Sequence, residues 1–161
     1  MPESTELTPL ARALGRIPTG LYIVATRDSG KPLGFVGSFV VQVGFEPPTV
    51  CVAVGRDRDH LSAIREQGRF ALSVLDRDSS GLMGPFFMQY EDDETAFDHV
   101  EHTDSPGGMP ILSGALAWLD CAVTGEHEAG DHVVVFGTVE NADLLREGDP
   151  SVHLRKNGLS Y

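Results

Sequence analysis

The sequence predicts a mainly β protein, an antiparallel barrel with a few short helices. Three observations carry that expectation. Runs rich in Val, Ile, Phe and Thr recur along most of the chain, clusters of Gly, Pro and Asp separate them, and helical spacing appears only in brief interludes. An alternating α/β sheet would need a helix-length crossover after each strand, and most of these runs are joined by turns instead.

The first element is a helix: Thr8 can cap it, Pro9 suits its first position, Leu10, Ala13 and Leu14 form a short apolar stripe, and Gly15 and Pro18 end it. Leu21 to Thr26 then reads as a strand, closed by the turn cluster Asp28-Ser29-Gly30-Lys31-Pro32. Leu33 to Val43 is a long β-rich run containing two glycines. Glu46-Pro47-Pro48 breaks the chain before Thr49 to Val54, which is apolar enough for a buried strand. A helix from His60 to Gln67 follows, capped by Asp59 and closed by Gly68, and Phe70 to Leu75 is the next strand.

Ser79 to Tyr90 carries helical spacing through Leu82, Met83, Phe86 and Phe87, but Gly84-Pro85 interrupts it, so a broken or late-starting helix is expected. Glu91 to Gly108 is acidic and reads as loop. Ala115 to His127 and Asp131 to Asn141 form a long hairpin across Glu128-Ala129-Gly130, and a last strand is expected near Ser151 to Arg155.

At 161 residues, 41% hydrophobic and 22% charged, the chain fits one globular domain spanning 1–161. No apolar run reaches the length of a membrane helix, and the N-terminus lacks the basic start and apolar run of a signal peptide. Cys51 and Cys121 lie in apolar runs and read as reduced, buried thiols, so a cytoplasmic protein is expected. The formal net charge of -12 argues against nucleic acid, whose phosphates need a surplus of cations. An anionic ligand would require a local exception to that field, and Arg56 offers one.

Three ordered stretches carry a resemblance: Gly34-Phe35-Val36-Gly37-Ser38-Phe39-Val40-Val41-Gln42-Val43-Gly44-Phe45-Glu46-Pro47-Pro48, then Gly114-Ala115-Leu116-Ala117-Trp118-Leu119-Asp120-Cys121, then Gly130-Asp131-His132. In this order and spacing the chain resembles the flavin reductase-like family from about Ala13 onward. The resemblance implies a split β-barrel of Greek-key type that binds FMN, with FAD as the alternative, and that forms a homodimer. It also implies an NAD(P)H:flavin oxidoreductase, with NADH or NADPH as transient reductant and an oxygenase or other electron acceptor as partner. Many members carry a serine- and threonine-rich segment where this chain has Val36 to Gln42. The Val-Gln and Phe-Glu-Pro-Pro version, with the ending Val152-His153-Leu154-Arg155-Lys156-Asn157-Gly158, is similar to the reductase module of photosynthetic flavodiiron proteins. A non-catalytic flavin-binding or electron-transfer module is therefore the second reading, and a split barrel with another ligand the third.

The site residues follow from what FMN requires. Its phosphate wants an arginine or lysine and backbone N–H groups, and its ring wants a flat apolar slot. Val54-Gly55-Arg56-Asp57-Arg58-Asp59-His60 presents a strand end, a glycine loop and a helix start. By resemblance Arg56 takes the phosphate with Gly55 beside it, and His60 stands for a polar partner at the helix start; the same residues also read as a solvated charged turn. Val36, Gly37, Ser38 and Phe39 would lie against the ring, Gly37 either admitting it or relieving a barrel bend. Gln42 could reach a flavin carbonyl, and Ser73 falls where relatives often carry a flavin-facing asparagine. Asp131 and His132 belong by resemblance to the nicotinamide side, while Gly130-Asp131-His132 by itself is an ordinary hairpin turn. Hydride transfer between the two rings needs no protein base, so His132 is assigned to orientation.

Asp98, His99, Glu101 and His102 lack the spacing of a closed metal site, and no metal is expected. Phe86, Phe87, Met88 and Tyr90 read as core or dimer surface, together with Leu116. Gly107-Gly108 lacks the strand-glycine-helix context of a dinucleotide fingerprint.

Overall fold

A computed structural model of the protein describes residues 6–161. Helix α1 covers Pro9–Leu14, with Thr8 Oγ1 accepting a hydrogen bond from the Ala11 N–H at 3.2 Å, so the capping expected from Thr8 and Pro9 is present. Strands β1 (Tyr22–Asp28) and β2 (Lys31–Gly37) form a hairpin across Ser29-Gly30, both at positive φ, a twist that matches the flanking strands. Strands β3 (Val40–Phe45) and β4 (Pro48–Gly55) form a second hairpin across Glu46-Pro47. Helix α2 (Asp59–Gln67) leads to β5 (Arg69–Val74), and Gly68, at φ 69°, ends the helix in the left-handed conformation glycine takes without penalty. Two 3₁₀ segments, Ser80–Phe87 and Ala96–His99, precede the short pair β6 (His102–Asp104) and β7 (Pro110–Leu112). The long hairpin of β8 (Ala117–Ala129) and β9 (His132–Leu144) completes the fold.

Seven strands form one antiparallel sheet in the order β2-β1-β5-β8-β9-β4-β3. The edge strands β2 and β3 are consecutive in the chain, linked only by Ser38-Phe39, yet they do not pair. The rolled sheet is therefore a barrel split along the β2–β3 seam, with Greek-key connections as the resemblance implied.

The interior is filled from β1, β4, β5 and β9 by Val24, Val50, Val52, Val54, Phe70, Leu72, Val133 and Val135, and α2 plugs one end with Leu61 and Ile64. Strand β1 is buried on both faces, because Ile23 and Ala25 pack under the 3₁₀ segments with Leu75, Phe97 and Leu112. A continuous Ile-Val-Ala run is what two covered faces demand. Strand β4 alternates instead: Val50, Val52 and Val54 point inward, while Cys51, Ala53 and Gly55 are half-buried. Cys51 and Cys121 are both free, but only Cys121 is fully buried, and its thiol is pushed up to about 12 by that burial.

Several boundaries differ from expectation. Asp59 sits inside the first turn of α2, where its charge suits the helix dipole; the cap position belongs to the extended residue Arg58. Ser79 to Tyr90 becomes 3₁₀ rather than α-helix, as Gly81, Gly84 and Pro85 disfavour a regular α-helix. Ser151 to Arg155 forms no strand, only isolated bridges of Thr19 with His153 and of Asp76 with Pro150. Both edges of β1 are already taken by β2 and β5, so the C-terminal segment meets only the chain before β1 at Thr19 and the chain after β5 at Leu75 and Asp76. Leu116 is buried at 4% exposure and is not a surface residue. Asp120, fully buried, receives Arg69 at 3.0 Å and the Gly107 N–H at 2.6 Å, so the Trp118–Cys121 stretch and Gly107 serve the frame.

Candidate flavin site at the barrel seam

The seam positions a cavity of about 380 Å³. Phe35, Val36, Gly37, Ser38 and Phe39 bring the end of β2 and the link to β3 along it, and Ala53 and Gly55 reach it from β4. Met83, Phe86 and Phe87 close it from the 3₁₀ segment, Arg58 from the lead-in to α2, and His153, Arg155 and Tyr161 from the C-terminal strap. A larger groove of about 1010 Å³ beside α1 is lined by Arg12, Arg16 and Lys156 and holds none of the expected site residues.

Two of the three stretches meet here, the Val36–Phe39 link and the Gly130–His132 turn, together with the loop from Gly55 to Arg58, while Gly114 to Cys121 stays in the frame. Gly55 pairs with His132 across β4 and β9, the Arg56 N–H donates to the Asp131 carbonyl at 3.0 Å, and the rings of Phe39 and His132 lie 5.4 Å apart. Gly130, at φ 61°, lets β8 turn into β9 in two residues, which sets His132 directly after the turn. Asp131 Oδ1 lies 2.7 Å from His132 Nδ1, and the imidazole beside it holds the Asp131 carboxyl below the usual carboxylate range.

Gly37 has a packing reason for being glycine: a Cβ there would stand 2.7 Å from Val24 Cγ2 in the barrel interior. Gly37 also lines the cavity. The N–H groups of Ser38 and Phe39 donate to no other group among the described residues, and the Phe39 carbonyl accepts from Ala53 at 2.9 Å. Two unspent donors thus stand at an apolar slot, which suits a flat ring edged with carbonyls.

Of the expected residues, Val36, Gly37, Ser38, Phe39 and Gly55 line the cavity, and His132 and Asp131 stand behind Tyr161 at its rim. Arg56 is turned away: its Nη2 donates to the Gly130 carbonyl at 2.9 Å, with Glu128 at 3.8 Å. His60 points under the β2 backbone, 3.1 Å from the Gly34 carbonyl and edge-on to Phe35, where burial lowers its pKa. Gln42 is exposed on β3, donating to the Gly44 carbonyl. Ser73 is buried and accepts the Leu112 N–H at 3.0 Å, away from the cavity.

Sequence reasoning missed the strap residues and Arg58. Arg58 lines the cavity with its guanidinium 5.8 Å from the Phe35 ring centre, and Arg155 lies 4.7 Å over Phe39. Phe86 and Phe87, expected in core or dimer surface, form cavity wall, with Phe86 also edge-on to Phe97 at 5.2 Å. Among the described residues no group of three metal-binding side chains is assembled.

The antiparallel split barrel is shared with solved flavin reductases, PheA2 and the NADH:FAD oxidoreductase SgcE6 among them. The chain belongs to the flavin reductase like domain family, which matches residues 14–158. It is 34% identical over 142 residues to HsaB, the reductase subunit of a flavin-dependent monooxygenase from Rhodococcus jostii (strain RHA1), covering 88% of this chain and 71% of that one. It is 35% identical over 154 residues to diflavin flavoprotein A 1 of Synechocystis sp. (strain ATCC 27184 / PCC 6803 / Kazusa), covering 94% of this chain but 27% of that protein. The chain thus spans about a quarter of the diflavin flavoproteins it matches, in agreement with the module implied by the Val36–Pro48 segment. Among solved structures, the NADH:FAD oxidoreductase SgcE6 of Streptomyces globisporus superposes with a TM-score of 0.82 at 28% identity, covering 90% of this chain and 86% of that one.

Proposed function

We propose that residues 1–161 act as one FMN-dependent NAD(P)H:flavin oxidoreductase that supplies reduced flavin or electrons to a partner. The observation that carries the reading is an apolar slot where the Val36–Phe39 link, the Gly55–Arg58 loop and the Gly130–His132 turn meet, edged by two arginines and unspent backbone donors. When bound, a flavin supplies the acceptor for a hydride, so that NAD(P)H leaves as NAD(P)⁺ and a proton is taken up from solvent. This chain's own part is to bind and to orient. Gly37, Ser38 and Phe39 offer bare backbone to the ring, Met83 and Phe86 exclude water from the opposite wall, and Arg58, at the start of α2, faces the phosphate. His132 orients the nicotinamide, held in place by Asp131.

Relatives named as reductase subunits of monooxygenases support an oxygenase as the acceptor, and SgcE6, named for FAD, keeps FAD as the competing flavin. A homodimer fits the exposed apolar edge of β3 at Val41, Val43 and Phe45, and a cytoplasmic location fits the two free thiols. The absorption spectrum of the purified protein, titrated with FMN and FAD and then mixed anaerobically with NADH or NADPH, tests the reading. Bleaching of a bound, perturbed flavin band is expected. A bound flavin that neither nucleotide reduces makes the chain an electron-transfer module, and a protein that binds neither flavin overturns the proposal.

A further inference from the structure

Arg155 is a cation of the cavity that the described chain leaves unsatisfied. Its Nε is buried without a hydrogen-bond partner, and its guanidinium lies over the Phe39 ring and lines the slot. Among the described residues it forms no ion pair, although the chain carries 24 acidic against 12 basic side chains, and Arg27, Arg56, Arg65, Arg69 and Arg146 each find a carboxylate. Arg12, Arg16, Arg58 and Arg77 also form no ion pair among the described residues; Arg155 differs from Arg12, Arg16 and Arg77 in lining the slot with a buried, unpartnered Nε.

Its position is built rather than incidental. The Thr19 N–H donates to the His153 carbonyl at 3.0 Å and the His153 N–H returns to Thr19 at 2.7 Å. Arg16 Nη2 donates to the Arg155 carbonyl at 3.3 Å, and the Gly158 N–H donates to the Ala11 carbonyl at 2.8 Å. The backbone is thus anchored before, at and after Arg155, while the side chain is left with donors and no acceptor. Stacking on Phe39 accounts for the plane of the guanidinium but spends none of its N–H groups.

We propose that Arg155 is the receptor for a phosphate ester carried by a ligand of this cavity, a second anion-binding point that the C-terminal strap contributes in addition to Arg58. The inference rests on the reading of the cavity as a flavin and nucleotide site. Two ligands carry the required chemistry: the phosphate of the flavin and the diphosphate of the pyridine dinucleotide.

The test compares the parent with Arg155→Gln and Arg155→Lys, using calorimetric titration with FMN, riboflavin, NAD⁺ and inorganic pyrophosphate. Loss of a charge-assisted contact should weaken pyrophosphate by about ten-fold or more in Arg155→Gln, with Arg155→Lys between the two because it keeps the charge but not the fork. A matching loss for FMN but not riboflavin places the flavin phosphate on Arg155, and a matching loss for NAD⁺ with FMN unchanged places the nucleotide diphosphate there; either sustains the proposal. If Arg155→Gln does not fold, the loss in Arg155→Lys decides in the same way. Equal weakening of FMN and riboflavin, unchanged affinities throughout, or a parent that binds no phosphate-bearing probe overturns it. A parent that binds pyrophosphate through Arg155 but no flavin removes the proposed function and leaves this inference standing. A parent reduced normally by NADH, with Arg155 variants unaltered toward every probe, does the reverse.

Discussion

Arg56 and Arg58 stand two residues apart on one loop and face opposite ways. Arg56 is spent on the Gly130 carbonyl at 2.9 Å, tying the lead-in of α2 to the β8–β9 turn, whereas Arg58 lines the cavity and makes no ion pair among the described residues. In the proposed function the phosphate contact therefore falls to Arg58, the arginine of this loop that lines the cavity. Arg58→Ala should weaken FMN by roughly 1.5–3 kcal/mol and riboflavin little, the loss of one charge-assisted contact. Arg56→Ala should affect both flavins alike and modestly, through the turn it braces. Fluorescence titration with both ligands checks this; an FMN-selective loss in Arg56→Ala alone would return the phosphate to Arg56.

The segment Val54 to His60 was legible as a strand end, a glycine loop and a helix start, and all three are present. What could not be read was which arginine faces inward. That depends on the Gly130 carbonyl, which lies 74 residues away and competes for Arg56. Similarly, Gly37 was legible as a special position, but its collision partner Val24 comes from the β1–β2 register. Arg155 lies within the ending Val152 to Gly158 that resembles the flavodiiron module, but nothing in that segment assigns Arg155 or Tyr161 to the cavity. They reach the cavity because Gly158 and His153 are tied to α1 and to Thr19, contacts between chain ends that local patterns do not encode. Phe86 and Phe87 read from sequence as core or dimer surface; their spacing marks them as apolar, and only the fold shows that they line the cavity.

The β3 edge yields a prediction about assembly. Phe45 is 88% exposed, with Val41 at 56% and Val43 at 50% on the same edge strand. An apolar edge of this kind needs a cover, and twofold pairing is the common solution. Light scattering should give a dimer for the parent, and Phe45→Glu should shift it toward monomer without loss of secondary structure. A monomeric parent at micromolar concentration would remove the dimer.

His60 sets an acid limit on stability. Burial is the main cause of its lowered pKa, with Arg58 adding to the effect against the opposing Gly34 carbonyl and Asp59. In the unfolded chain a histidine titrates near 6.5, so between that value and the lower folded value the unfolded state binds more protons. The resulting stability is present in full above about pH 6.5 and is lost as pH falls toward and through the folded pKa. Thermal melts between pH 8 and 5 should show the parent's midpoint falling more steeply below about pH 6.5 than that of His60→Gln, whose side chain does not titrate. Parallel curves would show that His60 carries no such linkage.

The His132 ring is committed on both sides: Nδ1 lies 2.7 Å from Asp131 Oδ1, and Nε2 lies 2.5 Å from the Tyr161 hydroxyl. A carboxylate can only accept, so the pair fits the tautomer in which Nδ1–H donates to Asp131 and Nε2 accepts from the phenol. Burial raises the Tyr161 pKa, which keeps that phenol protonated and able to donate. Tyr161 also lies 5.7 Å from the Phe39 ring, so it occupies the side of the slot from which a nicotinamide would reach His132. Removing either residue should then have a different kinetic signature. His132→Ala and His132→Gln should slow reduction of bound flavin by NADH about 10²-fold, as expected for loss of an orienting group, with flavin affinity nearly unchanged. Tyr161→Ala should instead lower the KM for NADH, because the incoming ring no longer has to displace a side chain from Nε2, while kcat changes less. Stopped-flow reduction beside steady-state kinetics separates the two. Unchanged reduction in both His132 variants, with flavin fully bound, would take His132 out of the site, and a raised KM in Tyr161→Ala would make Tyr161 a part of the nucleotide's binding surface rather than an obstacle to it.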